Sequence, residues 1–138
     1  MKQVSSIIQY FGKNEPQLFT GAELLQPITA ILSSQHGDYP ATICIDGDTD
    51  TPAKEGNMCH SGGSEQSPWL AIDYGTTVFV KRVEIFNRDD CCGDRTKNVD
   101  VRVADELPTS ASQMFSGGTL LGHFAGPGAD RQHIIVSG

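Results

Sequence analysis

Cationic residues, aromatic residues and long apolar runs are all scarce in this sequence. Among its 138 residues, 10 are Lys or Arg and 17 are Asp or Glu, giving a formal net charge of −7. Because affinity for nucleic acid comes mainly from clustered Lys and Arg, this balance argues against a nucleic-acid-binding surface. The longest apolar runs are a few residues, far short of the roughly 20 that a membrane-spanning helix needs. We therefore expect a neutral partner, with no nucleic acid and no membrane span.

Cysteine pairs with metal-ligand spacing are also missing. The four cysteines form an even set without any CxxC motif, so a structural zinc site has little support, although Cys59, His60, Cys91 and Cys92 remain conceivable ligands. Disulfides fit better, and they imply an oxidising, extracellular compartment. The first residues lack the apolar core of a signal peptide, which leaves retention in the cell or a removed leader as alternatives.

Alternation of apolar and polar residues is the clearest structural signal that is present. In residues 98–107, Val99, Val101 and Val103 alternate with polar side chains, the period of a strand with one buried face. Strand-like segments also occur at 67–75, 78–88, 118–126 and 132–138, separated by turn residues. Helical periodicity comes nearest at 21–32, where Pro27 interrupts it. The sequence predicts one all-β domain over residues 1–138, an antiparallel β-sandwich or jelly roll.

An acidic loop places Asp46, Asp48 and Asp50 at alternate positions. A hard dication coordinated by oxygens would relieve the repulsion among these carboxylates. The spacing imitates the start of an EF-hand loop but lacks that loop's glycine and final glutamate, so a different calcium loop and a solvated turn both remain open. Cys44 and Cys59 bracket the loop with fourteen residues between them, a reasonable ring for a disulfide.

The segment FNRDDCCGDR (86–95) places two adjacent cysteines between Arg88 and Arg95. Adjacent cysteines pair only with strain, because their Cα atoms lie about 3.8 Å apart, or about 2.9 Å across a cis bond, below the usual range. Each cysteine can instead pair elsewhere or stay reduced. A vicinal pair would form a compact apolar knob, the arginines would supply fixed N–H donors, and Asp90 would hold one guanidinium. Such a site suits a small ligand with hydroxyls and an apolar edge, whereas the alternative is an ordinary surface Arg–Asp network with structural cysteines.

Three segments together resemble the F-type lectins, or fucolectins. They are NRDDCCGDR (87–95), SPWLAIDYG (67–75) and YPATICIDGDTDT (39–51), in the family's order within a match over roughly residues 27–128. The resemblance implies an eight-stranded β-jelly roll that binds α-L-fucose without catalysis and carries a structural calcium ion. It also implies that Cys91 and Cys92 form a vicinal disulfide that packs against the sugar ring.

Carried over by position, the resemblance assigns residues to the sugar and to the ion. His60, Arg88 and Arg95 would bind the sugar, Asp90 would support an arginine, and His36 lies in a loop where family members line the pocket. For calcium, the side chain of Asp46, the carbonyls of Ile43 and Asp48, and Asn57 near the loop's end are the expected ligands.

Residues 5–25 resemble the two strands with which this family normally ends. In that register Ala22 and Glu23 stand where the family places its last calcium ligands. We therefore expect a circularly permuted domain, since strand pairing depends on spatial adjacency rather than on chain order. The alternatives are a truncated domain completed by a partner chain and a coincidental N-terminal extension.

The leading functional prediction is a calcium-stabilised, secreted lectin for L-fucose or fucosylated glycans. One monosaccharide site binds weakly, so a homo-oligomer or a larger multivalent protein is expected. The alternative is a β-sandwich protein-interaction module that binds no sugar. An enzyme is disfavoured: Asp89, Asp90 and Asp94 suggest a carboxylate pair for glycoside hydrolysis, but the neighbouring arginines would keep them ionised and leave no general acid.

Overall fold

The computed structural model describes residues 6–10, 24–50, 56–107 and 111–138, with the backbone alone for 6–10, 111 and 115. Seven strands and one short helix form the regular structure of these ranges. They are β1 (Ser6–Tyr10), β2 (Thr29–Leu32), β3 (Trp69–Asp73), β4 (Arg82–Phe86), β5 (Val99–Ala104), α1 (Ala111–Ser116), β6 (Thr119–Phe124) and β7 (His133–Ser137).

The strands make two sheets. The larger has the order β2-β3-β1-β5-β6, and the smaller pairs β4 with β7. β1 lies in the middle of the larger sheet and runs parallel to β3 and β5, whereas the other pairings are antiparallel. The predicted all-β sandwich is confirmed, and the N-terminal strand joins the two halves of its larger sheet.

Alternating residues of both sheets form the core between them. In the smaller sheet Val83 is opposite Val136 and Ile85 is opposite Ile134, so each strand contributes every second side chain. In the larger sheet Val99 and Val101 of β5 are fully buried, as their alternation predicts. Burial of these apolar side chains is the main force that holds the sheets together. The buried core residues are Ala30, Ala41, Cys59, Leu70, Ile72, Tyr74, Val80, Val83, Ile85, Val99, Val101, Ile134 and Val136.

Two elements differ from the sequence-based prediction. Residues 21–32 are nearest to helical periodicity, yet Thr29–Leu32 form β2, because these four residues after Pro27 pair in antiparallel register with β3. α1 was not predicted, since its six residues are too few for a periodic signal. Its Met114 is fully buried with Ala71 against the side of β3 that faces away from the main core.

The proposed N-terminal pair of strands is described only in part. β1 falls within residues 5–25, as predicted, but Ala22 and Glu23 lie outside the described residues. No helix in the described ranges is long and apolar enough to cross a membrane.

Candidate functional site

The turn that follows β4 holds Arg88 in a fixed orientation. Its guanidinium donates to Asp90 twice, from Nε to Oδ1 at 2.7 Å and from Nη2 to Oδ2 at 2.8 Å. The Arg88 side chain is 10% exposed and that of Asp90 is 31% exposed, so the guanidinium of this bidentate pair is shielded from water while the carboxylate is partly hydrated. The Arg88 hydrogen bond holds the pKa of the Asp90 carboxyl well below its usual range, and the same contact raises the pKa of Arg88. The predicted support of Arg88 by Asp90 is thus present in the structure.

The adjacent cysteines form a vicinal disulfide, as the family resemblance implied; they neither pair elsewhere nor stay reduced. Their Cα atoms are 3.7 Å apart, the separation across a trans peptide. Cys92 has a φ of 66°, the left-handed conformation that a residue other than glycine rarely adopts. A 3₁₀ turn, Gly93–Arg95, follows directly, and the Arg95 N–H donates to the Cys92 carbonyl at 3.1 Å. Arg95 is exposed beside the disulfide, while Arg88 is buried.

His60 is a buried histidine whose tautomer is fixed by the main chain. Its side-chain Nδ1 lies 2.6 Å from the Ser61 carbonyl oxygen, which can only accept, so Nδ1 must carry the proton. In the neutral ring, Nε2 is therefore an acceptor. Burial lowers the pKa of His60, and the positive charges of His36 and Arg88 lower it further, while the Ser61 hydrogen bond opposes the shift. His60 is thus uncharged at neutral pH and lies within electrostatic reach of Arg88.

Tyr39 joins His36 and His60 in a cluster of three rings that sequence reasoning had not assembled. The centroids of His36 and His60 are 4.7 Å apart, and Tyr39 lies 5.9 Å from His60. Main-chain hydrogen bonds connect the same residues: the His36 N–H donates to the His60 carbonyl and the His60 N–H to the Tyr39 carbonyl. Tyr39 also interacts electrostatically with Arg88. His36 is exposed and lies at the rim of this cluster; its role in lining a pocket stays a prediction.

Asn87 is a buried polar centre of the cysteine turn, and it too was missed by the sequence analysis. Its Nδ2 donates to the carbonyls of Gly93 and Ala129, both at 3.0 Å. Its Oδ1 accepts from the Thr96 hydroxyl at 3.0 Å and from the Arg88 N–H at 3.1 Å. Because a buried amide without partners is costly, this full set of bonds fixes both ends of the turn. In the sequence Asn87 is a single residue directly before Arg88, and its position alone does not indicate that its side chain bonds the turn.

The acidic loop is closed by a second disulfide, Cys44–Cys59, as its spacing predicted. Within the loop, Asp46 Oδ1 accepts from the Asp48 N–H at 2.9 Å, and Asp48 Oδ1 accepts from the Asp50 N–H at 3.0 Å. The Asn57 amide nitrogen donates to Asp48 Oδ2 at 2.9 Å and to the Asp50 carbonyl.

These contacts test whether the loop suits calcium. Carboxylate, amide and main-chain oxygens are the donors that calcium prefers, so the donor types fit. The carboxylate of Asp48 accepts a hydrogen bond from the Asn57 side chain, whereas the main-chain carbonyl of Asp48 was the predicted calcium ligand. Ile43 lies in a 3₁₀ turn, Ala41–Ile45, at the start of the loop. In the described ranges, which omit 51–55, no three His, Cys, Asp or Glu residues converge into a metal-binding group, so main-chain and amide oxygens would have to complete a site.

The chain matches one protein family and is similar to several known proteins. Residues 44–120, more than half of the chain, match the family described as NedA-like, galactose-binding domain. A fucolectin of Anguilla anguilla is 30% identical over 83 residues, which cover 59% of this chain and 52% of the fucolectin. A pentraxin fusion protein of Xenopus laevis is 33% identical over 74 residues, 53% of this chain and 18% of that protein. The chain thus spans about half, or less, of the length of these curated relatives.

The fold is also similar to a solved structure. The crystal structure of an F-lectin (fucolectin) from Morone saxatilis serum superposes with a TM-score of 0.69 at 23% identity, covering 83% of this chain and 37% of that one. Together with the fucolectin relatives, this match confirms the resemblance to the F-type lectins that the motifs indicated. The chain therefore belongs to the family of NedA-like, galactose-binding domains, and it is similar to the F-type lectins in sequence motifs and in fold.

Proposed function

We propose that this domain binds L-fucose, as the free sugar and as a residue of glycans. The observation that carries the proposal is the bidentate Arg88–Asp90 pair, which holds a buried guanidinium in the same short turn as the Cys91–Cys92 disulfide. The names of the curated relatives, several of them fucolectins, support it.

The donors and acceptors of the site define the ligand chemistry. A guanidinium has five N–H donors, and Asp90 occupies two of those of Arg88, leaving others for ligand oxygens. Arg95 adds an exposed guanidinium, and neutral His60 offers Nε2 as an acceptor. A ligand that satisfies both kinds of group needs neighbouring oxygens of which at least one is a hydroxyl. Adjacent ring hydroxyls of a sugar meet this requirement.

The disulfide gives the site its apolar side. Two half-buried sulfurs at Cys91 and Cys92 form a stiff surface without hydrogen-bonding groups, suited to the C–H face of a pyranose ring. Because Asp90 balances the charge of Arg88, this arginine is better suited to neutral hydroxyls than to an anionic group. A deoxyhexose such as fucose combines ring hydroxyls with an apolar methyl edge, and His36 with Tyr39 would border that edge.

A calcium ion in the acidic loop is part of the proposal. Asp46, Asp48 and Asn57 with the carbonyl of Ile43 would hold it, and under circular permutation Ala22 and Glu23 would supply its remaining ligands. The ion would stabilise the loop that ends in the Cys44–Cys59 disulfide, immediately before His60. Support comes from the oxygen-donor chemistry of this loop.

The domain would act by binding rather than by catalysis. Arg88 holds the pKa of Asp90 well below its usual range, so this carboxyl stays ionised and is not suited to serve as a general acid. Two disulfides suit an extracellular location. Avidity would come from several such sites in an oligomer or in a longer protein.

Titration with L-fucose by calorimetry, together with a glycan array, tests the proposal. We expect a dissociation constant in about the millimolar range for the free sugar, as for a single shallow monosaccharide site. L-Galactose, which carries a hydroxymethyl group where L-fucose has a methyl, and an anionic sugar such as sialic acid are the matched comparisons. An array without preference for fucosylated glycans, combined with a stable protein complex, would instead identify a protein-interaction module.

A further inference from the structure

A second segment of the chain, residues 125–132, lies along the whole cysteine turn. Main-chain hydrogen bonds join the two at both ends of the turn. The Arg131 N–H donates to the Arg88 carbonyl at 2.9 Å, and the Gly128 N–H donates to the Thr96 carbonyl at 2.8 Å. In the sequence this segment contains the glycines and proline typical of a turn, and it lies about 35–40 residues after the cysteine motif that it supports.

The centre of the turn is held by one side chain of this segment. Asp130 Oδ1 accepts from the Gly93 N–H at 2.7 Å, directly after the disulfide. Gly93 is buried against the segment so closely that a Cβ atom there would lie 2.4 Å from the Ala129 carbonyl carbon. The backbone therefore approaches the segment as only glycine allows, and the Asp130 carboxylate sits at the point of contact.

The same carboxylate acts on the buried arginine. The negative charge of Asp130 contributes to raising the pKa of Arg88, although Asp90 makes the dominant contact. Asp130 thus faces the turn at two points: it bonds the residue that follows Cys92, and it lies within electrostatic reach of Arg88.

We propose that Asp130 is a positioning residue of the sugar site, which holds Gly93 and thereby sets the Cys91–Cys92 disulfide between Arg88 and Arg95. This inference rests on the proposed function, and it assigns a role to a residue outside the family-like motif. The carboxylate acts as a hydrogen-bond acceptor for a main-chain N–H, so an amide oxygen at the same position can replace it. Loss of the acceptor leaves the Gly93 N–H without its bond to Asp130, while the Asn87 amide still donates to the Gly93 carbonyl and the Thr96 hydroxyl still donates to Asn87.

The test compares Asp130→Ala, Asp130→Asn and Asp94→Ala. Asp94 is exposed in the same turn, so its removal changes the local charge equally and serves as the matched control. L-Fucose is titrated by NMR well below the melting temperature of every variant, at sugar concentrations above the largest expected dissociation constant. The dissociation constant and the stoichiometry, taken as the fraction of molecules whose signals shift, are recorded separately. For Asp130→Ala we expect about tenfold or greater weakening, since the lost bond has a charged acceptor. We expect less than about threefold for Asp130→Asn and Asp94→Ala, because both keep an acceptor at Gly93.

The two recorded quantities distinguish positioning from general stability. A residue that only stabilises the fold would reduce the binding-competent fraction, and with it the stoichiometry, while leaving the dissociation constant of the folded molecules unchanged. That result for Asp130→Ala, or equal loss of affinity in Asp130→Asn and Asp130→Ala, would overturn the inference.

A second readout separates this inference from the proposed function. The ¹³Cβ chemical shifts of Cys91 and Cys92 report the geometry of the turn without any sugar. We expect them to move in Asp130→Ala and to stay near the wild-type values in Asp130→Asn. If the wild-type protein binds no fucose, the proposed function fails, and these shifts still decide whether Asp130 positions the disulfide. Unchanged shifts in both variants would overturn its positioning role.

Discussion

Replacing Arg88 by alanine removes the buried guanidinium on which the proposed site depends. In the folded protein this group donates twice to Asp90 and retains further N–H donors for a ligand. The variant would therefore lose every hydrogen bond that Arg88 is proposed to donate to the sugar, and it would leave Asp90 without its arginine partner.

The expected magnitude follows from the kind of bond that is lost. A hydrogen bond to a charged group contributes about 1.5–3 kcal/mol, which corresponds to roughly 10–150-fold in affinity. Starting from a dissociation constant of about 1 mM, the variant would bind fucose with a constant of at least about 10 mM. Binding would then fall below detection in an ordinary titration. The fold should survive, because Asp90 is 31% exposed and water can hydrate its carboxylate once the arginine is gone.

Calorimetric titration with L-fucose and a thermal melt measure the two effects separately. Arg82→Ala is the matched control. Arg82 forms an exposed ion pair with Glu84 on β4, so its substitution also removes one positive charge but does so outside the cysteine turn. Arg88→Lys keeps the charge but not the planar fork, and we expect it to bind as poorly as Arg88→Ala. Fucose binding within about twofold of wild type in a folded Arg88→Ala protein would refute the reasoning.

The remaining predictions concern protonation, metal and the core. Because burial lowers the pKa of His60 below 6.5, the unfolded chain takes up this proton before the folded one. The stability that the neutral ring contributes is therefore complete above about pH 7 and falls progressively as the pH drops below 6.5, and fucose affinity falls as the folded ring itself becomes protonated. Titrations from pH 8 to 5 should show this loss, and affinity that rises on acidification would contradict it. Removal of calcium by a chelator should lower the melting temperature by about 5–10 °C, the effect expected of a ligand present at about 100 times its dissociation constant. Asp46→Asn should abolish this shift. A melting temperature that does not change with calcium would exclude the ion. Met114→Ala should lower the free energy of unfolding by about 2–5 kcal/mol in a urea titration, because the Met114 side chain is fully buried, and it should leave fucose affinity unchanged. Leu120→Ala, which alters an exposed side chain, is the control. A loss no larger than in Leu120→Ala would show that Met114 does not pack as described.

The strands with one buried face were predictable because burial repeats every second residue. Val99 and Val101 on β5, and Val83 and Ile85 on β4, alternate with polar side chains in the sequence and face the core in the structure. β2 and α1 escaped prediction for different reasons. Residues 29–32 become a strand only through pairing with β3, and the six residues of α1 gain their helix from the packing of Met114 on Ala71.

The two disulfides illustrate how far spacing alone extends. Fourteen intervening residues made Cys44–Cys59 reasonable from the sequence, and the structure confirms it. For Cys91 and Cys92 the same geometric reasoning left reduced thiols and other pairings open, and only the family resemblance selected the vicinal bond that the structure contains.

The motif residues were identified from the sequence, but their supports were not. Arg88, Asp90 and the cysteines lie within five positions of one another, so local chemistry could relate them. Asp130 and Asn87 act through contacts with residues up to 42 positions away, between segments that meet only after the sheets have formed. Such contacts carry no local signal, because an Asp after GPGA is also a common turn residue.

A crystal structure of the protein soaked with L-fucose tests the central claim most directly. The account predicts one pyranose ring lying over Cys91 and Cys92, with guanidinium nitrogens of Arg88 and Arg95 and Nε2 of His60 each about 2.7–3.2 Å from a sugar oxygen. A sugar bound elsewhere on the domain, or an empty site at fucose concentrations far above millimolar, would contradict it.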